Sequence, residues 1–143
     1  VIIRPFRLGD YAAIMAIWRA TGFEQEEADL DALARQLAWD SELVLVAEVD
    51  GQVVGVIVGT IDGNRAYFYR LAVHPDYQRR GIGRRLVQAL EERFREKGVT
   101  QIVIMVKQDN EQAIPFYESL GYEVQQLVTL SKRIEQQLGE ARS

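Results

Sequence analysis

Apolar residues Leu86, Val87, Leu90 and Phe94 recur at the spacing of one helical face, while Arg84, Gln88, Glu91, Glu92 and Arg95 fill the others. The pattern predicts an amphipathic helix that begins near Gly81 to Gly83 and stops at Gly98. Ile14, Ile17, Trp18 and Thr21 define an earlier helix, with Asp10 placed to cap its start and Gly22 to end it. Leu30, Leu33, Ala34 and Leu37 predict another. The β-rich runs are 2–6, 43–49, 53–61 and 66–73. Asp50-Gly51 suits a tight hairpin between the second and third, and Asp62-Gly63-Asn64 turns the chain into the fourth. Residues 102–106 are apolar throughout, as in a strand buried on both faces. A helix across 110–121 precedes a last β region at 122–134, read as one strand or as two short ones, and a polar tail at 135–143.

The order is β-α-α-β-β-β-α-β-α-β. It predicts one α/β domain over 1–134, a mixed β-sheet flanked by helices on both faces, with a crossover joining 66–73 to a parallel strand at 102–106.

Charge changes the reading of the 82–96 helix. Its start carries Arg79, Arg80, Arg84 and Arg85 where the macrodipole already makes a positive end and carboxylates are the usual residents. Four arginines there are unfavourable unless an anion occupies the site, and Gly81 and Gly83 let an anion approach the backbone closely. A pyrophosphate fits. A nucleoside-triphosphate loop would need Gly-Lys-Ser/Thr, which is lacking. A dinucleotide fingerprint would need a glycine where Leu86 stands.

Composition removes other chemistries. There is no cysteine, hence no disulfide, thiolate metal site or cysteine nucleophile; a single histidine, His74, rules out a histidine-rich metal centre. A net charge of -4 argues against nucleic acid or an anionic membrane as partner, and no aromatic residues interleave the basic run. No apolar run approaches spanning length and no signal-peptide pattern opens the chain, so a cytoplasmic protein is expected.

Two blocks carry a resemblance. Gln78-Arg79-Arg80-Gly81-Ile82-Gly83 follows the strand ending Arg70-Leu71-Ala72-Val73-His74-Pro75, and Asn110-Glu111-Gln112-Ala113 leads into Tyr117 and Gly121-Tyr122. In this order, separated by one helix and one strand, they resemble the GNAT superfamily of acyl-CoA-dependent N-acyltransferases, over nearly the whole chain. The resemblance implies a GNAT-like acyl-CoA N-acyltransferase fold, acetyl-CoA as acyl donor, no metal, and direct attack by a primary amine of an unidentified small-molecule, peptide or protein acceptor. By the same resemblance Leu71, Ala72 and Val73 pair with the pantetheine arm. Gln78, Arg79, Arg80, Gly81, Ile82, Gly83 and Arg84 hold the pyrophosphate, and Asn110 and Tyr117 complete the donor site. Tyr117 is the implied general acid, since a phenol protonates a departing thiolate with little mismatch.

The two blocks supply no base. Positions where many family members carry a glutamate hold Tyr67 and Met105. Strand alternation predicts Tyr67, Tyr69 and Leu71 on one face, so tyrosines or a water line the amine's path. Glu24 and Glu27, with Glu26 and Asp29, lie where the acceptor region is expected; they attract a cationic amine or simply favour a helix start. Asn110 contacts the donor's arm or caps its helix. Pro115 lies deep enough in that helix to predict an irregular first turn. Few residues follow Tyr122, which predicts short final strands and an open acceptor pocket, in a monomer or a homodimer. The missing carboxylates leave a second reading, a non-catalytic acyl-CoA-binding or sensing module.

Overall fold

The computed structural model describes residues 1–23, 35, 41–106, 110 and 112–134. Two compact units are distinguished, Val1–Lys107 and Gln108–Ser143. The first unit contains β1 (Ile2–Pro5), α1 (Tyr11–Ala20), β2 (Val44–Val49), β3 (Gln52–Asp62), β4 (Arg65–Val73), α2 (Ile82–Glu96) and β5 (Gln101–Val103); the second contains α3 (Ala113–Glu118). The sheet order is β1-β2-β3-β4-β5, with the first four strands antiparallel in sequence and β5 parallel to β4 across α2. The expected mixed sheet is therefore present. Apart from Arg35, the expected helix around Leu30–Leu37, and Glu24 and Glu27 before it, lie outside the described residues.

Alternation along β3 sorts the two faces. Val56 and Val58 join Ile14, Met15, Ile17 and Trp18 of α1 in one buried cluster with Val44, Val46 and Ala72. On the other face Gly55 and Gly59 receive α2. A Cβ at Gly59 would stand 2.8 Å from the Phe94 ring and 3.0 Å from Leu90, both fully enclosed. The glycine is what lets α2 lie this close to the sheet. Gly59→Ala is expected to lower stability by about 1–3 kcal/mol, the usual cost of overpacking, read as a reduced urea midpoint with an unchanged slope.

Local signals explain the connections. Asp50 and Gly51 both have positive φ (50° and 80°), the primed turn that matches strand twist in a two-residue hairpin. α2 ends at Glu96 with Val99 N–H donating to the Phe94 carbonyl (3.0 Å) and Gly98 N–H to that of Arg95 (3.1 Å), a Schellman pair. The same pair closes α3, from Tyr122 N–H to Tyr117 and from Gly121 N–H to Glu118.

Four expectations are corrected. Asp10 stands at the N-cap of α1 but makes no side-chain cap there. Its carboxylate is taken instead by the Arg4 guanidinium (2.8 and 2.9 Å) and the Arg7 N–H (2.8 Å), because charge-assisted bidentate bonding is stronger than a cap. β5 is three residues long and only partly buried, with Met105 69 % exposed, because no strand among the described residues covers its outer edge. Residues 122–134 form no regular strand, and Leu127, Val128, Leu130 and Ile134 are exposed. Pro115 is well placed: α3 begins only at Ala113, so the proline falls in the first turn, where an N–H has no intrahelical partner to lose.

Candidate active site

β4 and β5 pair only from Arg65↔Gln101 to Tyr67↔Val103. β5 then ends, while β4 runs on to Val73. Among the described residues no strand pairs with the β5-side edge of β4 beyond Tyr67, so β3 is the one strand that Leu71–Val73 pair with there.

That segment is redirected by a bulge. Val58 pairs with Tyr69 but Val56 pairs with Ala72, so Arg70 and Leu71 together oppose Ile57. Arg70 has φ 56°, in the left-handed region that non-glycine residues rarely enter. The expected alternation of Tyr67, Tyr69 and Leu71 on one face is thereby broken. Ala72, three residues after Tyr69, returns to the α1 side beside Val56, which moves Leu71 to the opposite face. Tyr67 and Tyr69 stay on the α1 side; Tyr69 is 42 % exposed and its hydroxyl donates to the Thr60 hydroxyl (3.1 Å).

Beyond Val73 the chain turns tightly. The His74 N–H donates to the Val54 carbonyl (2.7 Å), and its Nδ1 accepts the Asp76 N–H (3.1 Å), capping a 3-10 turn over Pro75–Tyr77. The imidazole thus serves loop geometry. Gln78 folds back so that its side-chain amide donates to the Val73 carbonyl (2.9 Å), tying the loop to the end of β4. The Arg80 guanidinium lies over the Tyr77 ring at 5.1 Å, the i,i+3 reach that the sequence spacing permits.

The start of α2 is cationic and uncapped. Arg79 and Gly81 have positive φ (64° and 80°) on either side of Arg80, and alternation of this kind turns successive N–H groups toward one concavity. Gly81 is the N-cap, no side chain caps it, and the first turn contains no acidic residue. A cation near a helix N-terminus costs about 0.3–1 kcal/mol, whereas each fully buried apolar side chain contributes about 1.5–3 kcal/mol. Ile82, Leu86, Val87, Leu90 and Phe94, all buried, therefore hold the helix in place although its end is cationic. What that end gains from an anion remains available for binding.

Leu71, Ala72, Val73, Gln78, Arg79, Arg80, Gly81, Ile82, Gly83 and Arg84 are thus brought into one continuous strand–turn–helix of the first unit. Tyr117 and Asn110 belong to the second. There the Tyr117 ring packs edge-on against Phe116 (5.1 Å) and Tyr122 (6.1 Å), and burial pushes its phenol above the ordinary value of 10.0. It keeps its proton at neutral pH. Asn110 enters the turn before α3 through its carbonyl, which accepts the Ala113 N–H (3.1 Å). Among the described residues no group of His, Cys, Asp or Glu is arranged to hold a metal ion, and no helix is long and apolar enough to cross a membrane.

The sequence model of the Acetyltransferase (GNAT) family matches residues 11–122. The chain belongs to this family of acyltransferases. It is 39% identical over 136 residues to a protein of Pectobacterium atrosepticum named an acetyltransferase, covering 92% of this chain and 94% of that one. The crystal structure of Ard1 from Thermoplasma volcanium superposes with TM-score 0.77 at 29% identity, covering 87% of this chain and 83% of that one. That of the ribosomal-protein-S18-alanine N-acetyltransferase of Escherichia coli superposes with TM-score 0.70 at 28% identity, covering 84% and 76%.

Proposed function

We propose that the protein is an acetyl-CoA-dependent N-acetyltransferase whose acceptor carries a primary amine. One observation carries the reading: β4 parts from β5 after Tyr67 and leads, with no further strand paired to that edge among the described residues, into a cationic turn at the N-terminus of α2. An arm bearing amides pairs with such an edge as an added strand, and a diphosphate suits the turn. The residues of the turn fit the donor: positive φ at Arg79 and Gly81 is the backbone pattern that turns N–H groups toward an anion, Arg79, Arg80, Arg84 and Arg85 stand in or beside the turn, and no carboxylate stands in the first turn of α2 to repel phosphate.

In the reaction the neutral amine nitrogen attacks the thioester carbon. An N–C bond forms, the C–S bond breaks, and the amine's surplus proton is lost as the thiolate is protonated. The main-chain N–H of Val73 or its neighbour polarises the thioester carbonyl. The Tyr117 phenol gives its proton to the departing sulfur and is recharged by the proton released from the amine through water. Tyr67 and Tyr69 line the approach of the amine, with Glu24 and Glu27 as the acidic attraction for it. The similarity to a ribosomal-protein-alanine N-acetyltransferase makes peptide amino termini the first acceptors to try.

The test is calorimetric titration with acetyl-CoA, followed by mass spectrometry of products from a panel of amines and peptides. Saturable binding and an acetylated product are expected. Failure to bind acetyl-CoA at high micromolar concentration overturns the proposal. Binding with no product from any acceptor transfers support to a non-catalytic acyl-CoA-binding module, the reading favoured by Tyr67 and Met105 standing at positions where a base carboxylate is expected.

A further inference from the structure

The β4 bulge is contacted by a residue outside the strand. Arg70 is non-glycine yet holds φ 56°, a conformation that persists only where surrounding contacts over-determine it. Two of those contacts come from one side chain. The indole of Trp18 in α1 is fully buried; its Nε1–H donates to the Arg70 carbonyl at 3.0 Å, and the Arg70 guanidinium lies over the same ring at 5.1 Å. Both ends of residue 70, carbonyl and guanidinium, are therefore held by Trp18. The indole is itself fixed, with Ile14 and Ile17 beside it in the α1 core.

This contact lies at the point where β4 changes role. Before it, Arg65–Tyr67 pair with β5; after it, Leu71–Val73 do not. A bulge bends its strand and increases local twist. An unbulged strand would return Leu71 to the face of Tyr69 and continue alongside the direction of β5. We infer that Trp18 is a positioning residue for the acyl donor: by locking Arg70 in the left-handed region, it turns the edge of Leu71–Val73 away from β5 and presents it for pairing. The inference rests on the acyl-donor reading of that edge.

Two changes separate this role from ordinary core packing. Trp18→Phe removes the N–H that the Arg70 carbonyl accepts; acetyl-CoA Kd is expected to rise about tenfold, the size of one buried hydrogen bond. Placing 3-benzothienylalanine at position 18 keeps the indole shape without a donor, and should weaken binding similarly if Trp18→Phe folds poorly. Arg70→Gly then supplies the discriminating step, because glycine enters the left-handed region without strain. Combined with either change at position 18, it is expected to restore Kd to within about threefold of the Arg70→Gly protein, since the bulge no longer needs to be forced. A packing role for Trp18 would not be rescued in this way. Hydrogen exchange at the amides of Tyr69 and Ala72 provides a reading independent of ligand: faster in the position-18 variants, slowed again by Arg70→Gly. Unchanged exchange and affinity without the indole N–H, or a defect that Arg70→Gly leaves uncorrected, overturns the inference. A wild-type protein that binds no acetyl-CoA instead overturns the donor reading, and the exchange data then decide alone whether Trp18 locks the bulge.

Discussion

Asp10→Ala is expected to lower the stability of the protein by about 3 kcal/mol, toward the lower end of what breaking a buried ion pair costs. The Arg4 guanidinium, 13% exposed, grips the Asp10 carboxylate with two bonds and reaches Glu48 on β2 at 3.1 and 3.2 Å and the Pro5 carbonyl at 3.1 Å. One cation thereby joins β1, the turn into α1 and β2. Without Asp10, Glu48 is the counter-charge that remains among the described residues in a site shielded from water, and the Arg7 N–H loses the Asp10 acceptor. The surviving Glu48 contact is the reason the cost stays near the low end.

The same pair makes a pH prediction. Arg4 holds the Asp10 carboxyl below its ordinary value of 3.8, chiefly through their hydrogen bonds and against the opposing effect of burial, with the Arg7 N–H helping. A carboxylate whose pKa is lowered on folding contributes stability that is complete above the unfolded value and is lost as pH falls through the folded one. The difference between wild type and Asp10→Ala in urea midpoint is therefore expected to be full at pH 7 and to narrow steadily once pH drops below about 4. A gap that stays constant into acid would show that the Asp10 charge is not what stabilises this corner.

Tyr117→Phe should reduce kcat about 100-fold, in the range of a lost general acid, while acetyl-CoA Kd stays close to that of the wild type. A phenol is protonated throughout the physiological range and burial raises its pKa further, so the change removes a donor and not a charge. The ring remains between Phe116 and Tyr122, and the Tyr117 carbonyl that closes α3 is main chain, so folding is expected to be preserved. Single-turnover measurements isolate the chemical step if product release limits kcat. The alkaline limb of the wild-type rate attributable to this group is expected above pH 10, in line with the raised value. A Tyr117→Phe protein with an unaltered single-turnover rate would remove the phenol from the chemistry.

Several features were legible in the residues because their causes are local. The start of α2 at Ile82 and its stop at Gly98 follow from an apolar seam ended by a glycine. The Asp50-Gly51 hairpin follows from backbone freedom at two positions. The cationic turn was readable because four arginines at the wrong end of a helix conflict with electrostatics that the sequence itself displays. By contrast, Asp10 reads as a helix cap until Arg4 and Glu48 are seen to converge on it, and Glu48 lies 44 residues from Arg4. The apolar run at 102–106 resembles a central strand, yet only three residues pair, since burial is decided by which neighbours cover a strand and not by its own hydrophobicity. Gln78 matches a phosphate-loop position, but its side chain is directed to the Val73 carbonyl by proximity that the turn at His74–Tyr77 creates.

The sequence alone determined that this chain forms a mixed sheet crossed by an arginine-led helix, because hydrophobic period, turn residues and charge at a helix end act over a few neighbouring positions. Tertiary structure alone decided how β4 is bent and held: a left-handed arginine carries no composition signal, and only folding brings the Trp18 indole, 52 residues away, against its carbonyl. Strain of that kind becomes tolerable through long-range contacts, which no local pattern encodes.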